Sequence, residues 1–134
     1  MTSPHRLVVI GNGMAGARLV EDVLARATGD RFKVTMFGDE PYGNYNRILL
    51  SNVLNGTQDA KEIFLNPLAW YEENGVTLHA GQRVTHIDRD AMTVHAADLA
   101  VPYDYLVFAT GSKPFIPPIP GTPYLGDHVP SRIC

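Results

Sequence analysis

Three glycines, Gly11, Gly13 and Gly16, stand at the spacing G-x-G-x-x-G within "VVIGNGMAG". Glycines at these intervals suit a phosphate. The first permits a tight turn, the second lets a phosphate reach the backbone without meeting a side chain, and the third lets the following helix pack close to the preceding strand. Met14 and Ala15 open that helix, whose free N–H groups and positive dipole end attract an anion. A carboxylate about 20 residues further on is expected to accept hydrogen bonds from a ribose. Asp39 and Glu40 follow Gly16 by 23 and 24 positions, and either fits. The next stretch, "GDEPYGNYNRILLSN", offers Arg47, whose planar guanidinium can donate two parallel hydrogen bonds to phosphate oxygens where lysine cannot. A solvated surface arginine is the alternative.

Such residues work only if the right elements position them. Leu7 to Ile10 form a continuous apolar run, as in a strand buried on both faces of a parallel sheet. From Met14 the pattern changes to helical spacing, with Leu19, Val20, Val23 and Leu24 on one face and Arg18, Glu21, Asp22 and Arg26 on the other. Gly29 and Asp30 are expected to stop this helix, and "FKVTMFG" reads as a second strand, completing a βαβ-type opening of about 30 residues.

Further along, "RILLSNVL" reads as a short helix, and "NPLAWYEENG" as another with Asn66 as N-cap, Pro67 at the first helical position and Gly75 as the stop. "VTLHAG", "RVTHIDRD" and "MTVHA" are expected to be short strands. "VPYDYLVFATG" reads as one strand with Tyr105 to Phe108 buried, followed by Ala109, Thr110 and Gly111, small residues that let the backbone approach a ligand at the carboxyl edge of the sheet. "SKPFIPPIPGTPY" must be extended and poor in hydrogen bonds. The pattern is that of an α/β fold: a Rossmann-like parallel sheet with flanking helices and a small β-meander.

Bulk properties exclude several functions. A net charge of −3 gives no general attraction to nucleic acid or to an anionic membrane. No apolar run approaches the roughly 20 residues that a membrane span needs. The single cysteine, Cys134, leaves no internal disulfide and no cysteine-spaced zinc site, and a cytoplasmic location fits best. His5, His79, His86, His95 and His128 lack metal-ligand spacing, so no metal is expected. No general acid or nucleophile stands out, which suits electron transfer by a bound cofactor. Trp70 and Tyr71 read as packing residues.

The pairing of "VVIGNGMAG" with "YDYLVFATGSKP" resembles the FAD domain of the two-dinucleotide flavoprotein reductases, the glutathione reductase and rubredoxin reductase superfamily. Within that superfamily, "FGDEPYGNYNRILLSNVL", "WYEENGVTLHAG" and "VPYDYLVFATGSKPFIPPIPG" are most similar to the N-terminal region of the large subunit of NAD(P)H-dependent nitrite reductase. The resemblance implies an incomplete FAD-binding domain of the glutathione reductase type over residues 1–121, with 122–134 starting the connection to an absent NAD(P)H domain. It implies that NAD(P)H reduces FAD and that electrons pass to an iron-sulfur cluster and siroheme outside this chain. Gly11, Gly13 and Gly16 would hold the FAD pyrophosphate, Asp39 or Glu40 the ribose, and Arg47 the phosphates. Val84 would meet adenine through its backbone, and Ala109, Thr110 and Gly111 would lie close to the cofactor. Asn52 departs from the wider pattern, in which many relatives carry a lysine near the flavin.

The resemblance further implies that the 134 residues by themselves bind FAD weakly or not at all and oxidise NADH negligibly. A rubredoxin or ferredoxin reductase is the nearest alternative, and a non-catalytic nucleotide-binding module comes from a different class. A disulfide reductase is disfavoured, because residues 17–133 contain no cysteine. A homo-oligomer remains compatible with the sequence.

Overall fold

The computed structural model describes residues 3–27, 31–112, 115 and 117–120. The expected helix stop at Gly29 and Asp30 and the connection over 122–134 lie outside the described residues.

Strand β1 (His5–Ile10) runs into helix α1 (Met14–Arg26), which returns to β2 (Phe32–Gly38). β1 pairs with β2 in parallel, from His5 opposite Phe32 to Ile10 opposite Phe37. Two later strands join the same parallel sheet. β5 (Thr77–Ala80) pairs with β2, and β9 (Tyr105–Phe108) pairs with β1, giving the order β5-β2-β1-β9. All four strands end on one edge of the sheet, so the loops after β1, β2 and β9 are neighbours.

The apolar run in β1 is buried on both sides because two layers cover the sheet. Leu7 and Val9 face one cluster with Val20 of α1, Val34, Met36, Tyr71 and Val76. Val8 and Ile10 face another with Phe37, Val94, Ala96 and Tyr103. The period-2 alternation of a strand sends consecutive residues to opposite layers. Each fully buried Val or Leu there contributes about 1.5–3 kcal/mol.

The second layer is a three-stranded antiparallel meander, β6 (His86–Asp88), β7 (Thr93–Ala96) and β8 (Leu99–Pro102). The short strands expected from the sequence divide between the two layers, and one expected strand is split. "VTLHAG" supplies β5 to the parallel sheet, and "VPYDYLVFATG" is two strands rather than one. The break falls at Tyr103 and Asp104: the Asp104 carboxylate accepts from the Arg6 backbone N–H at 2.7 Å and from its guanidinium at 2.8 and 3.1 Å. That clasp turns the chain out of the meander and into register beside β1. Tyr105 and Phe108 are 54% and 63% exposed, against expectation, because β9 is an edge strand bonded on one side only among the described residues.

Between β2 and β5 the chain forms β3 (Asn44–Tyr45), a 3-10 turn over Arg47–Leu49, helix α2 (Leu50–Leu54), a second 3-10 turn over Ala60–Ile63, β4 (Phe64–Asn66) and helix α3 (Leu68–Glu73). β3 and β4 pair antiparallel. Asn66 is not the N-cap of α3. Pro67 takes that position, and the Asn66 side chain is drawn away to accept from Asn44 Nδ2 at 3.2 Å and to donate to Glu21 Oε1 at 3.1 Å. Gly75 does close α3, with φ +68° and its N–H on the Glu72 carbonyl. Trp70 and Tyr71 are packing residues as expected, Tyr71 being only 1% exposed. Phe115 and Pro117–Pro120 are exposed, and the rest of the proline-rich segment lies outside the described residues.

Candidate functional site

A groove of about 430 Å³ opens at the edge where β1, β2 and β9 end. Its floor is the turn from Ile10 to Ala15, its far wall is Ala109 to Ser112, and its rim carries Asp39, Glu40 and Arg47. Of the residues that the sequence singled out, Gly11, Gly13, Met14, Ala15, Asp39, Glu40, Arg47, Val84, Ala109, Thr110 and Gly111 all line it. Gly16 does not. Among the described residues no group of histidine, cysteine or carboxylate side chains could hold a metal ion.

The three glycines have separate tasks. Gly11 has φ +112°, a conformation that L side chains rarely adopt, and a Cβ there would overlap the Ala109 carbonyl oxygen. The loop is thereby locked against the end of β9, with Gly11 N–H on the Phe37 carbonyl and Ala109 N–H on the Ile10 carbonyl, each at 2.8 Å. Gly16 lies one turn into α1, where a Cβ would overlap the Gly11 carbonyl oxygen and approach the Ala109 Cβ at 3.3 Å. Its task is packing. Gly13 differs from both, because a Cβ there would meet nothing within 4 Å. The protein does not require glycine at this position for its own packing, and Gly13 lines the groove.

Gly13 also caps α1 without a side-chain hydrogen bond, and the first turn of that helix holds no acidic residue. The N–H groups of a first turn have no intrahelical acceptor. With the helix dipole they form a cationic end unopposed by a nearby helix carboxylate. A cradle of backbone N–H groups with one missing side chain is the arrangement that a phosphate fits. Beneath it, Tyr71 OH donates to Asn12 Oδ1 at 2.7 Å and accepts from the Asn44 N–H at 3.1 Å. Tyr71 therefore ties the glycine loop to β3. Burial pushes its phenol up, opposed by the hydrogen bonds with Asn12 and Asn44. Asn12 Nδ2 is buried and has no hydrogen-bond partner among the described residues.

The rim is built by the β2 exit. Gly81 N–H bonds to the Glu40 carbonyl and Gln82 N–H to the Gly38 carbonyl, each at 2.9 Å, which fastens the turn carrying Gln82, Arg83 and Val84 above the two acids. Asn46 caps the 3-10 turn by accepting from the Ile48 N–H at 3.1 Å, and this turn carries Arg47. The guanidinium lies 5.2 Å over the Tyr45 ring, with Nη2 donating to Glu40 Oε1 at 2.8 Å. Tyr45 OH donates to the same carboxylate, at 2.9 Å to Oε2. Burial first, and then the bond to Glu40, push the Tyr45 phenol up to about 12. Tyr42, Tyr45 and Phe64 pack edge-on to one another and stiffen this wall. Asp39 is half exposed, with Oδ2 3.7 Å from Arg83 Nη1.

Sequence reasoning missed Asn12, Tyr42, Asn44, Tyr45, Gln82, Arg83 and Ser112, all of which line the groove. The flanking position of Gln82 and Arg83 before Val84 was the available signal. Asn12 stood between Gly11 and Gly13 in the glycine motif, but its contact with Tyr71, 59 residues away, left no local trace.

A parallel sheet covered by helices on one face and a meander on the other, with a glycine loop at its carboxyl edge, defines an α/β domain of the dinucleotide-binding type. The model of the pyridine nucleotide-disulphide oxidoreductase family matches residues 5–132, and the chain belongs to that family. It is 53% identical over 117 residues to "Nitrite reductase [NAD(P)H]" of Bacillus subtilis (strain 168), covering 87% of this chain and 14% of that protein. It is 48% identical over 118 residues to "Assimilatory nitrate reductase electron transfer subunit" of the same organism, covering 87% of this chain and 15% of the relative. The chain thus spans about a seventh of the length of these relatives. Among solved structures, the covalent putidaredoxin reductase–putidaredoxin complex is similar with a TM-score of 0.78 and 29% identity over 88% of this chain and 28% of that one. Among the described residues no helix is long and apolar enough to cross a membrane.

Proposed function

We propose that this chain is the FAD-binding part of an NAD(P)H-dependent flavoprotein oxidoreductase of the nitrite reductase kind, and that the groove holds the ADP half of the cofactor. The observation that carries the reading is Gly13: it lines the groove, a side chain there would meet nothing, and it sits at the uncapped start of a 13-residue helix. A pyrophosphate there would accept hydrogen bonds from the Met14 and Ala15 backbone, and Arg47 would supply a charge from the rim. Val84 lines the groove and would meet the adenine through its backbone, and Ala109 to Gly111 would leave room for the cofactor at the far wall.

Bound FAD supplies the two-electron redox chemistry; the residues of this chain bind and orient it. NAD(P)H is the electron donor, and the iron-sulfur and siroheme centres that accept the electrons belong elsewhere, since this chain holds one cysteine. Residues 1–121 are the cofactor-binding unit. A cytoplasmic site accords with that single cysteine. The identity of 53% with a nitrite reductase favours that enzyme over a rubredoxin or ferredoxin reductase. A reading frame with four downstream cysteines suited to a cluster supports it, and a frame ending after a second dinucleotide domain supports the reductase.

Calorimetry with FAD, ADP and FMN tests the groove. Of the two outcomes that the resemblance implies, weak binding or none, the groove favours weak one-to-one binding of FAD and ADP, with FMN, which lacks the adenosine half, binding far less. Equal affinity for FMN and FAD would place the flavin rather than ADP as the recognised half. Absence of heat with both FAD and ADP at millimolar concentration would remove the proposal.

A further inference from the structure

Two adjacent acids, Asp39 and Glu40, stand on the rim, and the ribose needs one of them. Their surroundings differ sharply. Glu40 has a side chain 19% exposed, and both of its carboxylate oxygens are engaged by the protein: Oε1 accepts from Arg47 Nη2 at 2.8 Å and Oε2 from Tyr45 OH at 2.9 Å. Its backbone is held as well, through the Gly81 N–H. Asp39 has a side chain 50% exposed, and among the described residues its carboxylate meets a long ion pair with Arg83 at 3.7 Å and no hydrogen bond.

Resting on the reading that the groove binds an adenosine dinucleotide with an acid at the β2 exit on its ribose, we propose that Glu40 is a positioning residue for Arg47, which leaves the ribose hydroxyls to Asp39. Arg47 is confined from two directions. The face of its guanidinium lies over the Tyr45 ring and one end is drawn to Glu40, while the Tyr45 hydroxyl holds the far oxygen of the same carboxylate. A planar fork restrained in this way loses less freedom when it meets a phosphate, so the ion pair prepares the binding geometry. Glu40 reaches the ligand through Arg47, and its own oxygens stay with the protein. Asp39, one residue earlier, keeps acceptor capacity facing the groove.

The test compares ligands with and without phosphate. Amide-shift titrations with FAD, ADP and adenosine are run on the wild-type chain and on Glu40→Ala, Glu40→Gln, Asp39→Asn and Arg47→Met, with circular dichroism confirming the fold. Glu40→Ala is expected to weaken FAD and ADP about tenfold, to leave adenosine within about twofold, and to add nothing in the Arg47→Met background. Glu40→Gln keeps one acceptor oxygen and puts an amide that only donates in place of the other, so it is expected to weaken FAD and ADP less than Glu40→Ala does and to leave adenosine within about twofold. Asp39→Asn weakens adenosine and ADP alike. The proposal is overturned if Glu40→Ala weakens adenosine as much as ADP, or if its effect adds fully to that of Arg47→Met. Where Glu40→Ala fails to fold, a loss with Glu40→Gln that includes adenosine overturns it equally. If the wild-type chain binds neither FAD nor ADP, the dinucleotide reading itself has failed, an outcome distinct from any pattern among the variants.

Discussion

Replacing Gly16 by alanine sets a methyl carbon into the Gly11 carbonyl oxygen and within 3.3 Å of the Ala109 Cβ. Both Gly11 and Gly16 are backbone positions in a loop and a helix, so no side chain can rotate away. The helix and loop must separate by on the order of 1 Å to restore ordinary contact distances. Overpacking of this kind costs about 1–3 kcal/mol, and the better helix propensity of alanine returns at most about 1 kcal/mol. With the full return the net loss is up to about 2 kcal/mol, or up to about 8 °C in Tm for a domain of this size. Gly13→Ala makes the opposite trade. Its φ of −80° suits alanine and its Cβ meets nothing, so only a weaker N-cap, about 0.5 kcal/mol, separates it from wild type in stability. The same methyl occupies the space in which a phosphate would approach, and FAD affinity is expected to fall at least about tenfold, ~1.4 kcal/mol. Thermal melts and FAD titrations of the two variants measure both quantities. A Gly13→Ala variant that binds FAD as wild type does, or that melts below Gly16→Ala, refutes the division of labour between the glycines.

Other outcomes follow from the same contacts. Tyr71→Phe removes the hydroxyl between Asn12 and Asn44, leaving a buried acceptor and an N–H unpaired, and is expected to cost about 1–3 kcal/mol by chemical denaturation; an unchanged midpoint contradicts the link. The Arg6 guanidinium holds the Asp104 carboxyl well below its usual range, so this clasp stabilises the fold above about pH 4, where an unfolded aspartate is ionised, and is lost as pH falls through the lowered folded value. Asp104→Asn is expected to melt lower at pH 7 and to lose less further stability on acidification; parallel pH curves for the two proteins contradict it. Ultraviolet titration should find a tyrosine ionising near 12, and Glu40→Gln should lower it, because the bond to Glu40 is a cause of the shift second only to burial. If every tyrosine titrates near 10, the Tyr45–Glu40 contact is absent in solution. Arg47→Lys is expected to hold FAD about tenfold less tightly, having lost the fork and the stacking on Tyr45; equal affinity returns Arg47 to the role of a surface charge.

The parallel sheet and the glycine loop were legible because their signals are local. Leu7 to Ile10 announce a doubly buried strand, and three glycines next to a helical pattern announce the turn after it. What failed depended on distant partners. Asn66 and Pro67 look like a cap and a first helical residue in isolation, yet Asn44 and Glu21 draw the Asn66 side chain elsewhere. The break between β8 and β9 follows from a bond between Arg6 and Asp104, separated by 98 residues, which no short window can register. Tyr105 to Phe108 read as buried because composition cannot tell a central strand from an edge strand. At the site, the residue types pointed to the groove, but which acid serves the ribose could be argued only from the bonds that Glu40 makes to Tyr45 and Arg47. Ala109 also proved to have two tasks: besides lining the groove, it accommodates the close approach of Gly11 and Gly16.

The central claim is that the end of β1 and the start of α1 hold the pyrophosphate of FAD. Titrating FAD into the isotopically labelled chain and following its backbone amides tests this most directly. Shifts are predicted to concentrate at Gly11 to Ala15, with smaller ones at Asp39, Val84 and Ala109 to Gly111, and ADP should reproduce the first group. No shift in the Gly11 to Ala15 amides at saturating FAD, or shifts confined to the meander or to α3, would contradict it.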